Sequence, residues 1–534
     1  MRVVLAPGPE RVVAIRTDDT GAATAAPALF PDAAAAVRAF EPEHPRWVWP
    51  DTAAIYPSVL RAGLRVQRCH DLALTGALLR TRAGLAPAAV TAAPADERPA
   101  LFETTPAADP DAVLAEHAEQ VALTGSDARL RLLVAAESAG GLAAAEMGHT
   151  GMPFSASAHR RLLEEALGPR VPADVLPVRL REVADEVSAA FGRRVNPASQ
   201  PEVVAAFARD GVELASTRAW LLRDVDHPAV APLLRYRDLA KLHSANGWAW
   251  LDAWVTGDRF RPVYVPGGVV SGRWASRGGG ALQIPKALRT SVIADPDHSF
   301  VIADAGQLEP RILAAMSGDP LMVAAAGAAD LYAPVAAEVF GGDRAKAKVA
   351  ILGVLYGATA GEARSLLTLL RTRFPMAVRY VEDAAGAGER GEVVHSWLGR
   401  ACPPPGERWW SEGDAHARGR FTRNFVVQAT AAEWALCLLA ELRRRLAGTG
   451  SELVFFQHDE VVVHSRDPDA AVRHVLDATA SATRLLFGDT AVRFPMDVAV
   501  RDCYAEPAAE TGTVPSRRIT RGVDPVSCRT ARPN

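Results

Sequence analysis

The chain has 534 residues and a mass of 56.7 kDa, with 49% apolar and 23% charged residues, so about three or four packed domains are expected and a disordered chain is excluded. Its 62 acidic and 59 basic side chains leave a formal charge of −3, which excludes a uniformly basic coat for nucleic acid but not a segregated one. No apolar run approaches the roughly 20 residues of a membrane span, the apolar stretch after Met1 is too short for a secretion signal, and five scattered cysteines without a C-x-x-C fit a reducing cytosol.

In chain order, the first segment reads as a small α/β domain. Short β-like runs at 2–5, 11–15 and 46–49 alternate with Ala-rich helical stretches such as 32–40. A Pro- and Ala-rich piece at 85–111 reads as a linker or loop. Helical periodicity marks 127–147, 159–167 and 213–223, so residues 150–260 are expected to be mostly helical, up to a Trp-rich stretch at 248–254. Residues 299–303 read as a buried strand, and 344–356, 360–371 and 419–445 as helices. The plainest hairpin is 452–465, two apolar arms around a short polar turn. Residues 507–534 are polar and read as a loose tail. Positive charge gathers in the middle: residues 1–120 carry 11 basic and 15 acidic side chains, residues 233–289 nine and three, and residues 341–428 thirteen and nine. A polyanion would be gripped there.

The run Phe300-Val-Ile-Ala-Asp304 delivers a carboxylate at a strand end. Pro310 has no amide hydrogen to lose in a first helical turn, so a helix is expected to begin there, and Asp304 alone is as well explained as its cap. His458-Asp459-Glu460 sits at the crest of the hairpin, where Asn-Gly or Asp-Gly would be the usual turn. A solvated turn is one reading and a ligand set the other. Two strands each presenting an Asp supply hard oxygen ligands for Mg²⁺. Two such ions about 4 Å apart orient an attacking hydroxyl and stabilise a leaving oxygen in phosphoryl transfer.

Arg344, Lys348, Leu352 and Tyr356 recur at a spacing of four, along one helix face. Two cations and an aromatic in line suit a triphosphate with a base stacked beyond it; a solvated basic helix gives the same spacing. Only four of the 59 basic residues are lysine (Lys241, Lys286, Lys346, Lys348), and two of them lie here. Lys can lose a proton where Arg cannot, which makes Lys348 a candidate general acid for departing pyrophosphate. Arg420, Asn424 and Gln428 repeat the spacing on a later helix. They suit contacts to phosphates, sugars and minor-groove edges that do not select sequence, or else form ordinary polar surface. The basic, Gly-rich stretch 271–285, with Arg273 and Gln283, would let backbone approach a nucleic-acid strand closely, a weak signal alone.

Taken in order, these segments resemble the polymerase module of family A DNA polymerases, the bacterial DNA polymerase I type, over about residues 125–505. Asp304 to Arg311 is similar to the first palm motif, D-Y-S-Q-I-E-L-R. Residues 344–357 look like the fingers helix, 420–428 like the R-x-x-x-N-x-x-x-Q helix, 458–460 like the H-D-E hairpin, and 271–285 like T-G-R-L-S-S…L-Q-N-I-P. The short actinobacterial proteins that join a 3′–5′ exonuclease to a polymerase are the members it most resembles. The resemblance implies a mixed α/β and α+β fold. A ribonuclease H-like, exonuclease-type α/β domain (1–124) would precede a right-hand polymerase: helical connection and thumb (125–265), palm (266–330 and 431–505), fingers (331–430) and a flexible tail (506–534).

By the same resemblance the chain is a DNA-directed DNA polymerase of repair or replication. Asp304 and Asp459 bind two Mg²⁺ ions, with Mn²⁺ a substitute, and Glu460 supports that site. Glu309 is a steric gate against a ribose 2′-hydroxyl. Arg344 and Lys348 hold the triphosphate and Tyr356 stacks at the templating position, with Gln307, Leu352 and His458 in the nucleotide site. Arg273, Gln283, Arg420, Asn424 and Gln428 touch primer–template DNA, and His458 the primer end. The partners implied are primer–template DNA and deoxynucleoside triphosphates, with no membrane, for a cytoplasmic, nucleoid-associated monomer.

Two positions depart from the pattern. Ala305 replaces the tyrosine after the first Asp, and Leu352 the usual aromatic on the fingers face, which should weaken stacking under the deoxyribose and alter discrimination against dideoxynucleotides. The metal ligands remain, so altered rather than absent activity is expected. The N-terminal segment has Asp18-Asp19 in place of a D-x-E, Asp71 beyond the second exonuclease motif, and Asp127 with Leu123 where a tyrosine belongs. These imply a vestigial exonuclease, and the length leaves no room for a 5′-nuclease domain. Three alternatives stand beside this reading. A nuclease would use the same two aspartates with water, a DNA-binding scaffold would carry a retired site, and a polymerase could retain its exonuclease.

Overall fold

The computed structural model describes residues 1–85, 107–172, 174–277, 284–357 and 362–506. Gln283, most of the expected linker and the expected tail from 507 onward lie outside them.

Five strands open the chain: β1 (Arg2–Pro7), β2 (Val12–Thr17), β3 (Ala28–Phe30), β4 (Arg46–Trp49) and β5 (Arg68–Asp71). They form one mixed sheet in the order β3-β2-β1-β4-β5, with β1 antiparallel to β2 and parallel to β4. On the central strand Val3 and Leu5 enter one apolar cluster and Val4 and Ala6 another, so both faces are covered. Helices α1 (Ala33–Phe40), α2 (Thr52–Arg61), α3 (Leu72–Arg82) and α4 (Pro110–Thr124) cover them. Each starts on an Asp (32, 51, 71 and 109) whose side chain accepts a backbone N–H of the first turn.

The 23-residue helix α5 (Ala128–Thr150) joins this domain to the rest. Two adjacent glycines let it pack tightly on both sides. A Cβ on Gly140 would lie 2.7 Å from Leu436, and one on Gly141 3.2 Å from Leu74 of α3.

A mostly helical stretch follows: the short strand β6 (Met152–Pro153), then α6 (Ala156–Leu167), α7 (Val178–Ala190), α8 (Gln200–Arg209), α9 (Ala219–Leu222), α10 (Val230–Asn246) and α11 (Trp248–Trp254). The helix expected at 213–223 is only the single turn α9. The Arg237 guanidinium donates to the buried Thr217 carbonyl, so that part of the backbone is satisfied from α10 rather than along a helix. Strand β8 (Arg259–Phe260) pairs with β6 on one side and with β7 (Val255–Thr256) on the other, and β9 (Val263–Val265) pairs with β10 (Ala275–Arg277).

The second large sheet is antiparallel and draws on distant parts of the chain. Strand β11 (Ser299–Ala305) lies between β13 (Glu460–Ser465) and β14 (Met496–Arg501), with β12 (Glu452–Gln457) beyond β13. Between its strands in the chain come α12 (Leu308–Ser317), α13 (Pro320–Ala326), α14 (Tyr332–Val339), α15 (Arg344–Tyr356), α16 (Glu362–Arg373), α17 (Pro375–Glu389), α18 (Trp409–Glu412), α19 (Ala415–Leu446) and α20 (Pro468–Phe487), of which α19 and α20 pack on the sheet. Helix α12 begins two residues before Pro310, which falls in the first turn, where no intrahelical acceptor awaits its nitrogen. By length and composition α19 is long and apolar enough to cross a membrane, although no unbroken apolar run in it approaches 20 residues. In the fold it is mostly buried against α5, α17 and α20, a core helix.

Candidate active site

Strand β11, the β12–β13 turn, helix α15 and the turn before β10 converge on one cleft of about 350 Å³. Its lining includes Arg273, Asp304, Glu309, Leu352, Tyr356, His458 and Asp459. Trp274 and Phe456 also line it, packed edge to face with centroids 4.9 Å apart.

The sheet register brings the carboxylates together. Asp304 stands opposite Glu460 on one side and Asp497 on the other. Asp459 is tied to the same strand end, its carbonyl accepting the Ala305 N–H at 3.1 Å. The turn is two residues long, and His458 holds a φ of 56°, which Gly takes more readily. Holding an imidazole-bearing residue there costs about 1 kcal/mol or more, and it turns Asp459 into the cleft. Burial and the facing Asp304 push the Asp459 carboxyl up to about 7. The surrounding protein and Asp497 raise Asp304. Burial raises Glu460 against the hydrogen bond that Tyr504 Oη donates to it. These groups resist ionising together, a conflict that a cation between them would relieve.

The expected stripe Arg344, Lys348, Leu352 and Tyr356 occupies one face of α15, with Leu352 half-buried and the others exposed. Arg344 Nε donates to Asp330 Oδ2 at 2.6 Å, and its guanidinium lies 5.4 Å from the Tyr332 ring. Lys348 makes no ion pair or hydrogen bond among the described residues. Tyr356 Oη donates to Glu309 Oε2 at 2.6 Å, and Arg273 Nη2 donates to Glu309 Oε1, so both carboxylate oxygens are occupied. Burial, then the bond to Glu309, raises the Tyr356 phenol.

Gln307 lines the cleft with its side chain held by its neighbours. Its Nε2 donates to Asp330 Oδ1 at 2.5 Å, and its Oε1 accepts from Leu331 N at 2.8 Å and Arg311 Nη2 at 3.1 Å. Arg420, Asn424 and Gln428 share a partly exposed face of α19, the helix whose Ala431, Ala432 and Ala435 line the cleft. Sequence reasoning missed Asp497, Asp330 and Tyr332. The alternation Met-Asp-Val-Ala-Val over 496–500 was a strand signal for the first.

Among the described residues, Asp295, His298 and His464 group their ligand atoms within 4.8 Å of one another. They sit at the opposite end of β11 and β13 from Asp304. Arg259 donates to both Asp295 oxygens, and Asp295 N–H donates to His464 Nε2 at 3.2 Å.

The N-terminal carboxylates serve backbone. Asp71 is fully buried, accepts from Thr52 N and Leu74 N at 2.8 Å each, and is pushed up to about 6 by burial. Asp127 caps α5, accepting from Arg129 N and Leu130 N at 3.0 and 3.1 Å. Asp18 accepts from Thr20 N and Ala22 N at 2.9 and 3.0 Å. No three-carboxylate group converges in this domain among the described residues.

A family model for DNA polymerase family A matches residues 175–501. DNA polymerase I of Chloroflexus aurantiacus is 29% identical over 48% of this chain and 31% of its own length. That of Deinococcus radiodurans is 26% identical over 56% and 36%, and the thermostable DNA polymerase I of Thermus aquaticus 27% over 45% and 32%. The chain thus spans about a third of the length of these curated relatives. The POL domain of Pol1 from M. smegmatis, solved in complex with DNA primer-template and dNTP, shares the fold. The TM-score is 0.71 over 94% of this chain and 95% of that one, at 18% identity.

Proposed function

The chain belongs to DNA polymerase family A, and from that premise we propose that it extends a DNA primer along a template, adding deoxynucleotides by two-metal phosphoryl transfer with release of pyrophosphate. The observation that carries this reading is the meeting of Asp304 and Asp459, from distant parts of the chain, in a cleft that Leu352 and Tyr356 of α15 also line.

The donor set fits a hard divalent cation, since the groups crowded together are carboxylates whose ionisation is held back by burial and by one another. Mg²⁺ there would activate the primer hydroxyl and neutralise charge on the phosphates. The remaining roles belong to side chains of this chain. Arg344 leaves Asp330 for the triphosphate, and the exposed Lys348 holds its far end and protonates the departing pyrophosphate. Glu309, held at both oxygens by Arg273 and Tyr356, excludes a 2′-hydroxyl. Arg420, Asn424 and Gln428 follow the duplex outward. Residues 331–430 are the fingers, 266–330 and 431–505 the palm, and 125–265 the connection and thumb. The protein acts as a monomer in the cytoplasm, in repair or replication.

Templated addition tests the proposal. Each deoxynucleotide is offered singly against each template base, and products are resolved at one-nucleotide resolution. Extension only by the complementary nucleotide is expected. Release of nucleoside monophosphate from the primer would instead favour a nuclease.

The raised carboxyl of Asp459 gives a pH dependence. Protonated below about 7, Asp459 must lose its proton to ligate. The proton and the metal compete, so metal affinity falls by about tenfold per pH unit below that value. Extension should rise as pH increases through 7, and higher Mg²⁺ should move the midpoint to lower pH. A midpoint indifferent to Mg²⁺ concentration would contradict this.

The N-terminal domain is proposed to be a retired exonuclease, because its candidate carboxylates are spent on helix caps and turns. Single-stranded DNA incubated with the chain and Mg²⁺ is expected to keep its 3′ end. Degradation that Asp127→Ala abolishes and Asp459→Ala spares would overturn that assignment.

A further inference from the structure

Arg273 reaches Glu309 from a turn whose shape is set by residues outside the cleft. The turn closes on itself: Gly272 N–H donates to the Val269 carbonyl at 2.7 Å, and Val269 N–H to the Arg273 carbonyl at 3.0 Å. Gly267 and Gly272 hold φ values of 62° and 83°, where side chains are strained. Space forbids a side chain as well. A Cβ on Gly272 would lie 2.6 Å from Cζ of Arg400, and one on Gly267 2.7 Å from Oε1 of Glu137.

Those two contacts belong to one ion pair. Arg400 Nη2 donates to Glu137 Oε2 at 2.5 Å, and the side chains are only 9% and 2% exposed. Glu137 comes from the middle of α5, and Arg400 from the segment between α17 and α18. Neither lines the cleft. The Arg400 backbone is itself anchored: its N–H donates to Ser396 Oγ at 2.8 Å, Ser396 Oγ donates to Glu433 of α19, and that carboxylate also accepts Leu398 N–H at 3.0 Å.

A buried ion pair rarely repays its desolvation through stability alone. This one underlies the turn that aims Arg273. We infer that Glu137 and Arg400 are positioning residues, holding residues 267–273 so that the Arg273 guanidinium meets Glu309 and, through it, Tyr356. The effect on synthesis rests on the polymerase reading of the cleft. The chain of contacts runs from α5 through Arg400 and the glycine turn to Arg273, and every link is a side chain or backbone group in direct contact with the next. The planar guanidinium lies flat against Gly272, so lysine at 400 keeps the charge and loses the shape that seats the turn.

A double-mutant cycle in the full-length protein tests this. Arg400→Lys and Glu137→Gln are each made with Arg273 intact and in an Arg273→Ala background. The readouts are kcat/KM for the nucleotide in single-nucleotide extension, affinity for primer–template DNA by fluorescence anisotropy, and the melting temperature. With Arg273 present each substitution is expected to lower kcat/KM by about tenfold or more, and in the Arg273→Ala background by less than about twofold. Equal fold-losses in the two backgrounds would overturn the inference and leave the pair a purely structural one. If Arg400→Lys fails to fold, Glu137→Gln, which keeps the side chain's size, decides alone. A wild-type chain that does not extend primers sinks the polymerase reading instead. The same cycle read in DNA affinity then decides the positioning role: equal losses, or no DNA binding, overturn it.

Discussion

Asp459→Ala is expected to slow single-nucleotide addition by about a thousandfold or more, on the order of 4 kcal/mol in the barrier. The substitution removes one of the two aspartates that β11 and the β12–β13 turn bring to the cleft. Asp304 alone would leave any divalent ion largely to solvent, with neither hydroxyl activation nor charge neutralisation in place. Binding of primer–template DNA should survive or tighten, because a carboxylate beside phosphates opposes them. Stability should move the other way from activity. The folded-state carboxyl sits near 7, above its value in an unfolded chain. The native state therefore holds an extra proton in the window between, and stability declines as pH rises through it. At pH 8 the alanine variant, freed of a crowded anion, should melt no lower than wild type. Rapid-quench extension, anisotropy and thermal melting at that pH check the three parts. Extension at the wild-type rate would refute the assignment of Asp459.

The largest stability effect is expected from Arg443→Ala. Arg443 on α19 donates to Glu146 of α5 through Nε at 2.8 Å and Nη2 at 2.6 Å, and to the Gln67 carbonyl through Nη1 at 2.8 Å. It also donates to the Val66 carbonyl. Tyr56 Oη of α2 donates to the same Glu146 at 2.6 Å. The ion-paired side chains are 10% and 9% exposed. Truncation strands a buried carboxylate and two carbonyls, which costs about 3–5 kcal/mol. For a protein of this size that is a fall in melting temperature of about 3–5 °C. The paired variant Arg443→Ala with Glu146→Ala should lose less than the sum of the single losses, since no charge is then left unpartnered. A loss below about 1 kcal/mol, the worth of an exposed ion pair, would contradict this.

Several elements were readable from local pattern because one physical cause dominates each. Strand β11 is a run of β-formers buried on both sides, and the β12–β13 hairpin is two such arms about a polar turn. Helix α15 runs from Arg344 to Tyr356 as expected, between a capping Asp343 and Gly357 in the left-handed conformation. The i, i+4 stripe then follows from helix geometry alone. The failures are long-range. Residues 213–223 have helical periodicity, yet the Arg237 guanidinium takes the Thr217 carbonyl. Gln307 lines the cleft, but that Asp330, Arg311 and Leu331 hold its side chain is not written in the motif. Asp497 lies beside Asp304 only because β14 pairs with β11, a register no local pattern specifies. Glu137 and Arg400 form an ion pair across 263 positions of sequence, and no spacing rule connects them.

The account rests on Asp304 and Asp459 sharing divalent cations beside a nucleotide. The most direct measurement is anomalous diffraction from Mn²⁺ in crystals of the protein with primer–template DNA and a non-hydrolysable deoxynucleoside triphosphate. Two Mn²⁺ peaks at direct ligand distance from both carboxylates, on the side facing α15, are predicted. Mn²⁺ bound elsewhere, for instance at Asp295, His298 and His464, with Asp304 and Asp459 left without metal, would contradict it.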